Sequence, residues 1–169
     1  EEIRRSAELA VDAVNAGGGI DGHQVGLLVY DDQNDPELAR VHAEAIVQDG
    51  RALAVLGHNS SAATLAGSEV YAAAGLPFVS ATASADEVTR SSTWGFTTIF
   101  NNSAQGIFLA TYIPHVLGEH TISIVYGDDA YGQSLHGALT AALPPDVTVA
   151  NTWRIDMAVW WRSMAWSSN

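Results

Sequence analysis

Apolar positions along this chain change their period at short, regular intervals. Ile3, Ala7, Ala10, Val11 and Val14 recur at helical spacing, and Asn15-Ala16-Gly17-Gly18-Gly19 closes that helix with residues suited to a left-handed C-terminal turn. Gln24–Tyr30 is a β-like run built on Val25, Leu27, Leu28 and Val29, and it ends in the polar stretch Asp31-Asp32-Gln33-Asn34-Asp35-Pro36. A second helix carries Leu38, Val41, Ala45 and Ile46 on one face and stops at Asp49-Gly50. Strands are predicted at Leu53–Leu56 and Pro77–Ser80, on either side of a helix over 61–74 whose face holds Ala62, Leu65, Ala66, Val70 and Ala73. Strands alternating with helices through short links predict an α/β fold, with a parallel sheet covered by helices on both faces.

After Ser84 the rhythm loosens. A helical turn is predicted within Asp86–Ser92, a strand at Gly95–Phe100, and a crossover at Asn101-Asn102-Ser103. The helix Ala104–Leu117 should be bent or shortened at Pro114. Thr121–Tyr126, Tyr131–Leu143 and Val147–Thr152 read as strand, helix and strand. From Trp153 the pattern fails, although four of the five tryptophans lie there. A doubly wound sheet usually opens on a central strand, whereas this chain opens on a helix. That strand is expected to be missing from the sequence, which reads as starting inside a mature protein.

Two apolar runs stop abruptly in small hydroxyl residues: Leu53–Ser61 and Pro77–Ser84. In a parallel sheet both strand ends lie at the carboxyl edge, where open α/β folds place ligands. Ser61 is expected to cap the following helix, whose free N–H groups attract an anion. Thr82 and Ser84 would offer carbonyl and hydroxyl oxygens to a nearby cation. An anion seat beside a cation seat suits a zwitterion such as an amino acid.

Composition narrows the alternatives. A formal charge of −12 argues against nucleic acid and anionic membrane surfaces. All seven basic residues are Arg, which removes the lysine chemistry of phosphate loops, pyridoxal enzymes and receiver domains. The absence of Cys removes disulfides, thiolate metal sites and Cys nucleophiles. No apolar run reaches the roughly 18 residues a spanning helix needs, and no signal peptide is visible. Asp31, Asp32 and Asp35 suggest a calcium loop, but His42 stands where its terminal glutamate belongs. The six histidines, at 23, 42, 58, 115, 120 and 136, have no zinc-type spacing and read as surface or loop residues. Gly57-His58-Asn59-Ser60-Ser61 is not a nucleophile elbow. No metal, cofactor or catalytic residue is expected.

Beyond these patterns, several segments are familiar in their order and spacing. They are Ala13–Gly22, Tyr30–Pro36, Gly57–Ser61, Tyr71–Pro77, Ser80–Ser84, Gln105-Gly106 and Tyr131-Gly132. Together they resemble the type I periplasmic binding proteins, in particular the leucine/isoleucine/valine-binding branch, which is related to the ligand-binding regions of amino-acid receptors. The resemblance implies two α/β lobes clamping a ligand. Residues 1–102 would form a parallel, doubly wound lobe one without its first strand, and 103–152 the beginning of an incomplete lobe two. Residues 153–169 depart from that family pattern as a tail, where Trp160 and Trp161 read as an exposed apolar patch or a contact.

The same resemblance implies the site. Ser61 would hold a ligand carboxylate by hydroxyl and N–H, and Thr82 would give its carbonyl to the ammonium. Ser84 would give N–H to the carboxylate and hydroxyl to the ammonium, while Tyr131 would close over the ligand from lobe two. Ser60 and His58 stand as secondary candidates, Ser60 mostly structural. The implied function is binding of a branched-chain or related aliphatic amino acid outside the cytoplasm, periplasmic or extracellular, for the membrane permease of an ABC importer. A receptor's sensor domain of the same fold is the alternative. An enzyme on a flavodoxin-like domain, using Asp31 or Asp32 with a divalent metal, is the third reading.

Overall fold

The chain divides into two units, Glu1–Asp31 and Asp32–Asn169, and the computed structural model describes residues 2–156. The first unit is helix α1 (Glu2–Ala16) followed by a turn in which Gly18 and Gly19 have positive φ. Asn15 ties the turn to Val25: its Oδ1 accepts from Val25 N at 2.7 Å, and its Nδ2 donates to Val25 O at 2.9 Å. The strand expected at Gln24–Tyr30 does not form. Apolar residues alone do not make a strand, because its N–H and C=O groups need a neighbouring ladder. This run has none among the described residues, and Leu27, Leu28, Val29 and Tyr30 remain exposed.

The second unit starts with helix α2 (Pro36–Asp49), where Asp35 caps the first turn by accepting from Glu37 N and Leu38 N and Pro36 needs no N–H partner. There follow β1 (Val55–Leu56), α3 (Ser61–Ala74), β2 (Phe78–Ser80), a short α4 (Glu87–Arg90) and β3 (Gly95–Thr97). The three strands pair in parallel in the order β1-β2-β3, with Leu56 opposite Val79 and Val79 opposite Phe96. Ala43, Tyr71, Phe78, Ala83, Ala85 and Val88 form the core beneath them, joined by Val47, Val55, Leu65 and Leu76.

A second sheet follows the crossover. Helix α5 (Asn102–Tyr112) passes into a π-helical turn over Ile113–Leu117, and Pro114, which has no N–H to donate, sits in that turn. Strand β4 (Thr121–Gly127), helix α6 (Ala130–Ala142) and strand β5 (Thr148–Ile155) complete the described chain, with β4 and β5 parallel. Ala110, Ile124 and Leu139 are the buried centre of this half. Trp153, where the pattern fails in the sequence, lies within β5. Trp153, Arg154 and Ile155 continue β5 opposite Val125, Tyr126 and Gly127, because a ladder is held by backbone groups and needs no apolar alternation. Trp160 and Trp161 lie outside the described residues. Among the described residues no helix is long and apolar enough to cross a membrane.

Candidate functional site

The parallel register of β1 and β2 brings the loops 57–60 and 81–86 together at one sheet edge. Ser80, fully buried at the end of β2, organises both. Its hydroxyl donates to the His58 carbonyl at 2.9 Å and accepts from Ala83 N at 3.0 Å. Thr82 adds a second tie, donating from Oγ1 to the Asn59 carbonyl at 2.6 Å. Its hydroxyl hydrogen is therefore committed to the Asn59 loop.

Helix α3 begins differently from the expectation. Ser60, not Ser61, is the cap: Ser60 has extended backbone and its Oγ accepts from Ala63 N at 3.2 Å. A cap must lie just outside the helix so that its side chain can turn back onto the first free N–H groups. Ser61 is the first helical residue, buried, and its Oγ accepts from Ala85 N at 3.3 Å. That bond places Ser61 against the loop carrying Ser84, which is also buried. As the first residue of α3, Ser61 has a backbone N–H with no partner in the preceding turn, and its hydroxyl retains a proton to donate. The arrangement can bind a small anion through neutral donors.

Tyr131 reaches this group through its backbone. Asn102, fully buried at the start of α5, donates its N–H to the Ser84 carbonyl at 2.8 Å and its Nδ2 to the Tyr131 carbonyl at 3.1 Å. Tyr131 itself is 43% exposed. Gly132 next to it has no room for a side chain, because a Cβ there would overlap the Gly127 carbonyl oxygen. Asp86 braces the same junction, its carboxylate accepting from Ser103 Oγ at 2.8 Å and from Ser103 N at 3.4 Å.

His58 is not a surface histidine. Its side chain is 9% exposed, with Nδ1 2.5 Å from Asp32 Oδ2 and Nε2 3.0 Å from the Tyr71 hydroxyl. Burial, and then the negative charge of Asp32, push the Tyr71 hydroxyl's pKa well upward. That hydroxyl stays protonated as a donor and is the opposite of an activated nucleophile. No cluster of three or more metal-ligating side chains occurs among the described residues.

A family model described as periplasmic binding protein matches residues 1–157. The chain belongs to the periplasmic binding protein family. It is 33% identical over 144 residues to an amino acid binding protein of Pseudomonas aeruginosa, covering 85% of this chain and 38% of that protein. It is 35% identical over 141 residues to the Leu/Ile/Val-binding protein of Escherichia coli K12, covering 81% and 37%. Among solved structures, the branched-chain amino acid transporter substrate binding protein LivJ from Streptococcus pneumoniae, in complex with isoleucine, superposes with a TM-score of 0.81 at 25% identity, covering 96% of this chain and 48% of that one. The chain thus spans between a third and a half of the length of these relatives. The family is one of solute-binding proteins and not an enzyme class.

Within this family frame, the structure brings together Ser60, Ser61, Thr82 and Ser84 and links Tyr131 to them through Asn102. Sequence reasoning misses Ser80, Asn102 and Asp86 as site residues. Ser80 reads as the end of a predicted strand and as part of the Ser80–Ser84 run without a role of its own, and Asn102 only as part of the crossover Asn101-Asn102-Ser103; a polar residue at a junction between apolar elements is the available signal for both.

Proposed function

We propose that the protein carrying this chain is a solute-binding protein, periplasmic or extracellular, that takes a branched-chain or related aliphatic amino acid and presents it to the membrane permease of an ABC importer. One observation carries the reading: the buried Ser61, at the first turn of α3, is fastened to the loop of Ser84 at the carboxyl edge of a parallel sheet. Ser61 would receive the ligand carboxylate with its hydroxyl and N–H, where a helix start favours an anion by about 0.3–1 kcal/mol. The Ser84 N–H would share the carboxylate, and its hydroxyl together with the Thr82 carbonyl would hold the ammonium. Tyr131 would close over the ligand from a second lobe beginning at residue 103, with residues 1–102 as lobe one. The names of the relatives support the ligand class. No reaction is proposed; the work is hinge closure on a ligand.

Calorimetric titration of the full-length protein with a panel of amino acids tests this. Leucine, isoleucine or valine should bind, and Ser61→Ala should weaken that binding at least tenfold, about 1.4 kcal/mol. Absence of binding to any amino acid, or an unchanged affinity in Ser61→Ala, would sink the assignment.

A further inference from the structure

The loop that presents Ser60 and Ser61 is held from beneath by three side chains to which the ligand roles above assign nothing. Asp32 precedes α2, His58 follows β1, and Tyr71 lies in the last turn of α3. Asp32 Oδ2 is 2.5 Å from His58 Nδ1, and His58 Nε2 is 3.0 Å from the Tyr71 hydroxyl. Asp32 and His58 have side chains only 16% and 9% exposed, and Tyr71 is fully buried. The imidazole lies against α3 where Gly67 leaves space: a Cβ at Gly67 would come 2.5 Å from Nε2.

Both ring contacts are satisfied in one arrangement, with the Tyr71 hydroxyl donating to Nε2. A neutral imidazole that accepts at Nε2 carries its hydrogen on Nδ1. That hydrogen points at the Asp32 carboxylate, a charge-assisted bond stronger than one between neutral groups. The carbonyl of the same residue is fastened too, accepting from Ser80 Oγ at 2.9 Å and Thr64 Oγ1 at 3.2 Å. One residue on, Asn59 donates to Asn34 Oδ1 at 3.1 Å, a second tie from the Asp32 loop. The helix cap at Ser60 follows directly.

We propose that Asp32, His58 and Tyr71 form a positioning relay that sets the orientation of the ligand seat at Ser60–Ser61. The relay touches no ligand. It fixes the ring of His58, and with it the peptide groups immediately before the seat, so that the Ser61 N–H and hydroxyl are aimed before ligand arrives. Pre-organised donors need no ordering on binding, and that saving appears as affinity. The proposal rests on the amino-acid reading for its ligand, but not for its effect on the loop.

The experiment uses the full-length protein, its Asp32→Asn variant, and leucine as the probe. Nitrogen-15 NMR of His58 should show the Nδ1–H tautomer in the wild type and its loss or mixing in Asp32→Asn. Amide exchange at Ser60 and Ser61 should accelerate in the variant, and leucine should bind about tenfold more weakly per folded molecule. A merely structural pair would lower the unfolding midpoint and leave the affinity of the folded molecules unchanged. An Nε2–H tautomer in the wild type overturns the relay, as does a variant with wild-type loop exchange and affinity. If the wild type binds no amino acid, the functional reading fails, and tautomer and loop exchange still judge the relay. Should Asp32→Asn not fold, Tyr71→Phe removes one hydroxyl from the same relay. It should move loop exchange and affinity in the same direction by a smaller factor, and no movement in either refutes the proposal.

Discussion

Replacing Asn102 isolates the junction between the two sheets. Its side chain is fully buried, donates from Nδ2 to the Tyr131 carbonyl at 3.1 Å, and accepts at Oδ1 from Gln105 Nε2 at 3.1 Å. Asn102→Ala deletes both bonds while leaving the backbone bond from Asn102 N to Ser84 O in place. Each lost bond costs about 0.5–1.5 kcal/mol net, so the variant should be less stable by about 2 kcal/mol. That is a large part of the roughly 5–15 kcal/mol that holds a domain folded. Asn102→Asp is the sharper comparison because its shape is nearly unchanged. An ionised aspartate has no hydrogen to give the Tyr131 carbonyl and puts negative charge against that oxygen. At neutral pH it should cost at least as much as alanine. The buried carboxyl would titrate above its ordinary range, so part of the loss should return as pH falls and the group becomes neutral. Urea unfolding of the full-length variants at two pH values reads both effects. If Asn102→Ala loses under about 0.5 kcal/mol, or if Asn102→Asp matches the wild type at neutral pH, the junction does not depend on this side chain.

Three further outcomes rest on the same geometry. Ser60→Ala removes the cap on Ala63 N and should lower stability by about 1 kcal/mol, and an unchanged stability would contradict the reassigned cap; Ser61→Ala takes the acceptor from buried Ala85 N, so it should lose about 1–3 kcal/mol of stability as well as ligand affinity. Gly67→Ala improves helix propensity by about 1 kcal/mol, yet its methyl would meet His58 Nε2 at 2.5 Å and Tyr71 at 3.1 Å. Thermal unfolding should show a net loss, overpacking costing about 1–3 kcal/mol, and a more stable variant would contradict the close packing. Tyr71 binds its proton more tightly folded than unfolded. Its contribution is full below the unfolded value near pH 10 and is lost as pH rises past it. Urea midpoints should therefore fall more steeply for the wild type than for Tyr71→Phe above about pH 10, and parallel curves would count against the buried hydroxyl.

Local sequence determined much of this protein's scaffold. Asp35-Pro36, Asp49-Gly50 and the small-residue helix over 61–74 mark their elements, because caps, breakers and helical periodicity act over a few residues, although the cap of the 61–74 helix falls on Ser60 and not Ser61. The parallel order of β1 and β2, and with it the meeting of Ser61 with the Ser84 loop, followed from the βαβ rhythm. Pairing across the chain was a different matter. Gln24–Tyr30 has a strand's composition and no ladder among the described residues, while Trp153–Ile155 lacks a strand's pattern and has one, since a ladder depends on what lies alongside. The polar framework was equally hidden. His58 has the look of a loop residue until the fold brings Asp32, 26 positions earlier, and Tyr71, 13 positions later, onto its two ring nitrogens. Sequence specified which residues can donate and accept; only the tertiary structure decided which of them meet, because a buried hydrogen bond needs partners that chain spacing does not reveal.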